Sequence, residues 1–406
     1  MTSGSIDRAG PRRREWLTHN VMTLSLVSLF QDAASELLYQ VLAIFLVSIL
    51  GAPVAVVGLV EGLADGAAAV TRLVSGRLAD RRARRPMVAL GYGMAAVAKL
   101  AIAVAVVWPM VLVARVGDRI GKGIRGAPRD SLIAEDTTPE DRGRAFGFHR
   151  SLDTWGAVIG PLIGLGLYEA LDHRIRPLLW VAVIPAVLSV ALVGFVRERP
   201  RPGVSDPGDA RAAAPVAVAS GPLPQAFRRV VVVLGVFGLV NFPDALLLLR
   251  ARALGVGVAG VIGVYCLYNL VYALASYPAG ALSDRIPRRV VVGTGLVVFS
   301  VAYVGLGVAS SAAWVWVLFP VYGLYTAFTD GVGKAWIVDL VPAGQRGRAI
   351  GTQGAVTGVG AIIAGVWAGL AWAGSGRLPL VLSGAVALVV GVVVLTWSRL
   401  DAPVLG

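Results

Sequence analysis

The chain contains little cysteine and few charged residues for its length. Its 406 residues include one cysteine, Cys266, which excludes a disulfide framework and a cysteine-rich metal site. Charged residues make up 15% of the chain, whereas a soluble domain usually has about 25%. Hydrophobic residues reach 56%, and the mean hydropathy is +0.74. This balance predicts a protein that is solvated by a lipid bilayer.

Signals of several other protein classes are also missing. The sequence has no convincing phosphate loop, nucleotide fingerprint or metal-ligand cluster, and no nucleophile lies beside an activating base. The first 17 residues are polar and basic, unlike a cleaved signal peptide. The net charge of +13 comes from arginines in short loops, a pattern that reports topology and not a DNA-binding face. We therefore expect no enzyme activity, no cofactor, no metal and no nucleic-acid partner.

Apolar stretches between charged or Pro/Gly-rich breaks predict twelve membrane-spanning helices. Each is long enough to cross about 30 Å of hydrocarbon at about 1.5 Å per residue. They cover residues 19–50, 54–78, 86–108, 109–134, 143–168, 176–196, 228–250, 258–282, 288–310, 313–340, 346–372 and 378–398. Arginine clusters fall on every second loop, so the positive-inside rule places those loops and both termini in the cytoplasm.

An internal repeat divides the chain. Residues 76–85 return as 280–289 and residues 142–147 as 346–351, with Asp80 and Asp284 separated by 204 positions. The same offset relates Gly51 to Gly255. Duplicated halves of hydrophobic helices are typical of transporter repeats. We expect a six-helix bundle over 17–198, a cytoplasmic linker over 199–227 and a second six-helix bundle over 228–400.

The basic loop after the second span resembles a signature of the major facilitator superfamily, and the likeness extends over essentially the whole chain. The family's Gly-x-x-x-Asp-Arg-x-Gly-Arg-Arg pattern is matched by Gly76, Asp80, Arg81, Arg84 and Arg85, with Ala83 in place of the second glycine. The resemblance implies an all-α membrane protein of twelve transmembrane helices in two pseudo-symmetric six-helix bundles.

It also implies a conformational latch. Its expected members are Gly76, Asp80, Arg81, Arg84, Asp284 and Arg285, with span 11 and Arg115 as the surface that Asp80 meets. The alternative is a topological anchor of charges at the membrane face.

A second pattern lies in span 5 and is similar to the one associated with the superfamily's drug:proton antiporters. It consists of Gly147, Gly156, Gly160, Pro161 and Gly164. The direct physical role of such glycines is close helix packing, and a proline bends the span. Packing and function are compatible, because a bent, glycine-lined helix can be a surface on which the two halves rock.

Ionisable residues inside the predicted spans are the strongest functional signal. An ionised group at the bilayer centre costs on the order of 3 kcal/mol or more unless it is paired or hydrated. Span 1 holds Asp32 and Glu36 and span 2 holds Glu61 and Asp65, each pair four residues apart on one helix face. We predict these carboxylates as proton-coupling sites, since burial makes a carboxylate able to exchange protons near neutral pH.

Span 4 supplies the opposite charge. Arg115, Arg119 and Lys122 lie along one stripe, and Asp118 is spaced to pair with Lys122. These cations line a substrate cavity or form buried ion pairs with spans 1 and 2. The protein's three lysines, Lys99, Lys122 and Lys334, all lie in predicted spans, which suggests sites that titrate or need a compact charge.

The second half lacks the charges of the first. Instead, span 10 carries Asp330 and Lys334, and span 7 carries Asp244, among aromatic residues that include Tyr268 and Tyr325. A charged half that faces an aromatic half suits an amphipathic ligand with one polar end. We therefore add Asp330, Lys334, Tyr268 and Tyr325 to Arg115, Arg119 and Lys122 as predicted substrate-binding residues. The alternative for the aromatic residues is contact with lipid.

Taken together, these features predict a monomeric secondary active transporter of the inner membrane that works by alternating access. Its partners are protons, the lipid bilayer and a small-molecule substrate. The favoured mode is proton-coupled export of small amphipathic compounds. Two alternatives stay open: a symporter or exchanger of an anionic metabolite bound by Arg119 and Lys122, and a lipid flippase or membrane sensor on the same scaffold.

Overall fold

The computed structural model describes residues 16–52, 54–172, 174–198, 221–372 and 375–397. Glu61 and Asp65 lie on a described helix, but their side chains are outside the described set. Most of the predicted linker, residues 199–220, also lies outside the described residues, as do both chain ends. The predicted boundary at 228 is slightly late, because the next helix begins at Gln225.

Six long helices form the part of the first half that the structure describes. They are α1 (His19–Ile44), α2 (Val54–Arg81), α3 (Arg84–Ala103), α4 (Trp108–Glu135), α5 (Arg142–Ala170) and α6 (Ile175–Val193). Helix α1 continues as a π-helical turn over Phe45–Ile49. These bounds agree with the first six predicted spans, because apolar length and charged breaks mark helix ends well in a membrane protein.

Seven helices form the described part of the second half. They are α7 (Gln225–Gly238), α8 (Asp244–Ala253), α9 (Val258–Ser283), α10 (Arg288–Val308), α11 (Ala313–Asp339), α12 (Arg346–Leu370) and α13 (Arg377–Thr396), with a short 3₁₀ turn at Ala343–Gln345. Helices α7 and α8 together make the seventh span, so the fold has twelve spans in two pseudo-symmetric six-helix bundles.

The prediction of one continuous seventh helix over 228–250 was wrong. The chain leaves the helix after Gly238 and enters the next at Asp244, directly after Pro243. Proline has no backbone N–H to continue a helix, and it pushes the preceding residue out of the helical region. The interruption exposes backbone carbonyls, and one of them, at Leu239, accepts a 2.7 Å hydrogen bond from the Trp367 indole.

The outer surface is suited to lipid. Large apolar side chains stand exposed around the bundle, including Val97, Val113, Ile184 and Leu370, the last with 85% of its surface accessible. By length and composition, six described helices are long and apolar enough to cross a membrane. Helix α4 carries Arg115, Arg119 and Lys122 and is outside this group, so its burial among other helices makes its crossing possible.

The two halves meet along two helix pairs, α2 with α12 and α5 with α9. The repeat places these pairs in equivalent positions. It is also visible in two turns, where Gly51 and Gly255 adopt φ of +65° and +92°, a backbone conformation that favours glycine. The arginine-rich loops lie together at one membrane face, which we call the basic face.

Apolar packing seals the basic face. Ala335, Val338 and Ile350 of the second half share one buried cluster with first-half residues that include Leu24 and Phe146. Each half also has a separate apolar core of its own. The shared cluster therefore joins the halves at one face of the membrane.

Candidate functional site

Two reciprocal contacts join the halves at the basic face. The Asp80 carboxylate, at the end of α2, accepts 2.7 Å hydrogen bonds from the backbone N–H groups of Gly347 and Arg348 at the start of α12. The Asp284 carboxylate, just after α9, accepts bonds of 2.7 and 2.8 Å from the N–H groups of Gly143 and Arg144 at the start of α5. Each aspartate thus satisfies backbone donors that a helix start leaves open.

Glycines allow this close approach. A Cβ atom on Gly280 would lie 2.1 Å from the Gly143 carbonyl oxygen, and one on Gly76 would lie 2.6 Å from that of Gly347. On Gly147, it would lie 2.5 Å from the Ser276 carbonyl oxygen. Any larger residue at these positions must push the halves apart. The glycines of the repeated motif therefore form the contact surface itself.

Ion pairs surround the two contacts in the same symmetric pattern. Arg84 pairs with Glu135 at 2.5 Å, and its repeat partner Arg288 pairs with Asp339 at 2.8 Å. Asp339 also pairs with Arg142 of the first half. Of the six predicted latch residues, Arg81 and Arg285 differ from the rest, because their side chains are exposed.

A polar cavity of about 330 Å³ lies between the halves, and we call it the charged cavity. Asp32 and Lys122 line it from the first half, while Gln353 and Thr357 line it from the second. Asp32, Glu36 and Lys122 form no ion pair with one another or with any other residue whose side chain is described. Charged groups beside a cavity between the halves that no described pair holds can bind a ligand or a proton.

Asp330 and Lys334 reach across to the first half. Lys334 Nζ lies 3.0 Å from Asp130, and Asp330 pairs with Arg150 while accepting a 2.7 Å hydrogen bond from the Tyr272 hydroxyl. Both residues line the charged cavity. Arg150 and Asp130 are therefore site residues that our predicted set omits, although their place inside predicted spans was a usable signal.

The charged residues of α4 lie in two different environments, a buried ionic cluster and the charged cavity. Arg115 and Lys99 each lie 3.4 Å from Asp118, and all three side chains are at most 6% exposed. The expected pairing of Asp118 with Lys122 was wrong, because Asp118 faces α3 while Lys122 faces the charged cavity. The described contacts thus place Arg115 in a dry ionic cluster, away from the substrate-binding position predicted for it and from the contact of Asp80 with α12. Arg119 is half-buried one turn along.

The span 5 glycines pack α5 against two neighbours. A Cβ on Gly156 would lie 2.4 Å from the Leu29 carbonyl oxygen of α1, and one on Gly160 would lie 2.6 Å from that of Ala33. Gly164 has looser contacts with Leu37. Glu36 lies beside Gly160 in this interface, with its Cβ 3.1 Å from the glycine's Cβ position. The pattern therefore sets the position of the α1 face that carries Asp32 and Glu36.

A second cavity, of about 350 Å³, lies within the second half, and we call it the aromatic cavity. Tyr268 and Tyr325, both predicted as substrate-binding, line it together with Tyr322 and Asp244. It shares four lining residues with the charged cavity: Asp330, Lys334, Gln353 and Thr357. The two cavities therefore adjoin each other.

Asn241 also lines the aromatic cavity and was missed by sequence reasoning. Its amide donates a 3.1 Å hydrogen bond to the Tyr325 hydroxyl. The residues Asn241, Phe242, Pro243 and Asp244 form a polar, proline-containing break inside an apolar run. That combination is a recognisable signal for a discontinuous span with a site beside it.

Comparisons with known proteins agree with this architecture. The family described as Major Facilitator Superfamily matches residues 24–265 and 237–406. An uncharacterised MFS-type transporter of Methanocaldococcus jannaschii is 29% identical over 93% of this chain and 95% of its own. The class C tetracycline resistance protein of Escherichia coli is 28% identical over 76% of this chain and 81% of its own. The crystal structure of the human organic anion transporter MFSD10 has a TM-score of 0.74 at 16% identity, covering 95% of this chain and all of that one, which supports the fold alone.

Proposed function

The chain belongs to the Major Facilitator Superfamily and is a membrane transporter, and we propose that it exports small amphipathic compounds across the cytoplasmic membrane in exchange for protons. One observation carries the proposal. Asp32 and Lys122 line the charged cavity between the halves, and no described ion pair holds either of them. A carboxylate in that position can take up and release a proton as its access to water changes.

The direction of the proposal follows from the arginine-rich loops. By the positive-inside rule the basic face is cytoplasmic, as are both chain ends. The contacts of Asp80 and Asp284 then close the cytoplasmic side in this conformation. A proton arriving from outside would neutralise Asp32 or Glu36, and its release to the cytoplasm would accompany the return swing. Glu61 and Asp65, on the same face of α2, are proposed to assist in that transfer.

The latch is proposed to consist of the two aspartate contacts and their glycines. When the cytoplasmic side opens, Asp80 must leave the start of α12 and Asp284 the start of α5. Each lost carboxylate contact with a helix start is worth about 0.3–1 kcal/mol at an exposed site and up to about 2 kcal/mol when partly buried. Such energies bias the open and closed states without locking either.

The export of drug-like compounds has two supports. The glycine pattern of span 5 is similar to that of drug:proton antiporters, and one relative that covers most of the chain is a tetracycline resistance protein. The aromatic cavity beside the charged cavity would receive the apolar part of such a compound.

A second candidate, transport of an anionic metabolite, is favoured by the balance of charge in the charged cavity. The lining contains six basic residues, Arg72, Lys122, Arg125, Arg129, Arg150 and Lys334, and four acidic ones, Asp32, Asp130, Asp153 and Asp330. An excess of basic groups attracts carboxylates or phosphates. In this case Lys122 and Arg119 would bind the substrate.

Purified protein in proteoliposomes, under a pH gradient of either sign, tests the proposal. We expect a cationic amphipathic dye to move against its own gradient when protons flow the opposite way. Transport restricted to carboxylates or phosphates would favour the second candidate. Failure to move any soluble compound under either gradient would contradict both, and would leave a flippase or a sensor on this scaffold.

A further inference from the structure

The aromatic cavity holds a carboxylate that the proposed proton chemistry does not use. Asp244 is the first residue of α8, directly after the break in the seventh span. Its Oδ1 accepts a 2.7 Å hydrogen bond from the Tyr322 hydroxyl. Within the part of the chain that the structure describes, no cationic side chain pairs with it. The break thus presents a half-buried carboxylate to the cavity.

The other charged groups that line this cavity already have partners. Lys334 lies 3.0 Å from Asp130, and Asp330 pairs with Arg150, so both are held by the first half. Asp244 is therefore the lining carboxylate whose charge the described residues leave unbalanced. An ionised carboxylate withdrawn from water is costly unless a cation or hydrogen bonds compensate it. A ligand that brings a cation would supply that compensation.

The surroundings of Asp244 suit a particular kind of cation. Ring centroids of Tyr268 and Tyr322 lie 5.2 Å apart, and those of Tyr322 and Tyr325 lie 5.4 Å apart. The ring planes of each pair lie within 24° and 28° of parallel, so the three tyrosines form a stacked aromatic wall at the cavity. The ring centroid of Phe299 lies 4.8 Å from that of Tyr325. Aromatic faces attract organic ammonium groups and also pack against apolar carbon. Contact with such a wall would stabilise a hydrated metal ion very little.

We propose that Asp244 and the wall of Tyr268, Tyr322 and Tyr325 bind the ammonium group and apolar body of an amphipathic amine. The inference rests on the proposed function and names its substrate class. The amine would lie against Asp244, and the rest of the molecule would extend toward Gln353 and Thr357, which both cavities share. The protons would be carried separately, at Asp32 and its neighbours in the first half.

Two matched probes test the charge requirement. Benzyltrimethylammonium is permanently cationic, and neopentylbenzene has the same shape with carbon in place of nitrogen. We expect purified protein in detergent to bind the labelled cation, and the neutral compound to displace it at least about tenfold more weakly, which corresponds to about 1.4 kcal/mol. Equal displacement by both compounds would overturn the proposal, and so would preferential binding of phenylacetate.

Three variants locate the charge. Asp244→Asn should weaken binding of the cation about tenfold or more, whereas Asp244→Glu, which keeps the charge, should restore most of it. Glu169→Gln removes an exposed carboxylate at the end of α5 and should change nothing. Wild-type binding by correctly folded Asp244→Asn protein would contradict the assignment.

The assay separates this inference from the proposed function, because equilibrium binding needs no gradient. Asp32→Asn protein should keep its affinity for benzyltrimethylammonium even where gradient-driven transport is lost. Binding that depends on Asp244, without proton-driven transport, would support the amine site and contradict the proposed exchange. Proton-driven transport of other compounds, without binding of the amine, would contradict the amine site and support the proposed exchange.

Discussion

At the scale of single residues, the charged groups inside the membrane fall into two kinds. Lys99, Arg115 and Asp118 satisfy one another in a dry cluster, and Lys334 is paired with Asp130. Such groups hold helices in place, and removing one partner leaves a costly buried charge. Asp32 and Lys122 line the charged cavity, as Asp130 and Lys334 do, but no described side chain pairs with either Asp32 or Lys122. Function is therefore expected at the second kind.

Replacing Asp32 by asparagine tests that expectation. The amide has nearly the same shape but cannot carry a proton, so Asp32→Asn should abolish transport driven by a pH gradient. Expression and substrate binding should be retained. The measurement is uptake into proteoliposomes with and without the gradient. Glu140→Gln, a neutralised carboxylate in an exposed loop, is the matched control. Unchanged gradient-driven transport in Asp32→Asn would remove this residue from the coupling role.

At the scale of helices, packing decides where the halves can touch. Glycines place α5 against α1 and α9, and α2 against α12, at distances that a Cβ atom would forbid. The break between α7 and α8 has a different effect, since it turns part of an apolar span into a polar lining. Both features come from residues that weaken helices or limit side-chain bulk.

The substitution Gly280→Ala should disturb the closed seam. Its methyl group would meet the Gly143 carbonyl oxygen at 2.1 Å. Overpacking of this kind costs about 1–3 kcal/mol, and only the closed state bears that cost, so the open state should gain population. Spin labels at the exposed Glu140 and Arg285, in a Cys266→Ser background, would report a longer distance across the basic face.

The control for this substitution is Gly166→Ala, which makes the same change at a glycine of another long helix, α5. A Cβ at Gly166 meets nothing within 4 Å, so the label distance should not change. If Gly280→Ala leaves the distance distribution identical to that of the control, the close glycine contact does not limit the conformational equilibrium.

At the scale of the whole molecule, the repeat gives the two bundles equivalent contacts with each other. The end of the second span in each half contacts the start of the fifth span in the other, through Asp80 with Gly347 and Asp284 with Gly143. In the proposed rocking motion, the two bundles would separate at both pairs. Buried apolar residues and bridging ion pairs lie behind this seal, so opening requires them to part together.

Asp80→Asn should alter this rocking motion without weakening substrate binding. The neutral amide loses the charge-assisted bonds to Gly347 and Arg348, so the closed basic face should become less populated and turnover should slow. Spin-label distances across the α2–α12 seam and equilibrium binding should be measured on the same preparation. Arg81→Gln is the control, because Arg81 is exposed beside the contact. A loss of affinity with unchanged distances would contradict a latch.

The sequence by itself determined the number of the spans, the ends of most of them, the two related halves and the basic face. These depend on local properties: apolar length, charged breaks and a repeat at one offset. It also indicated that Asp32 and Lys122 lie inside the membrane, because each falls near the middle of a predicted span.

Only the tertiary structure decided which charged residues face a cavity and which face a partner. Spacing along α4 favoured a pair between Asp118 and Lys122, yet the fold turns Asp118 toward Lys99 and Lys122 toward the charged cavity. The same holds for Asp244, whose tyrosine neighbours come from helices distant in the chain. A helical period fixes which residues share a face, but the neighbour of that face depends on how all the helices pack.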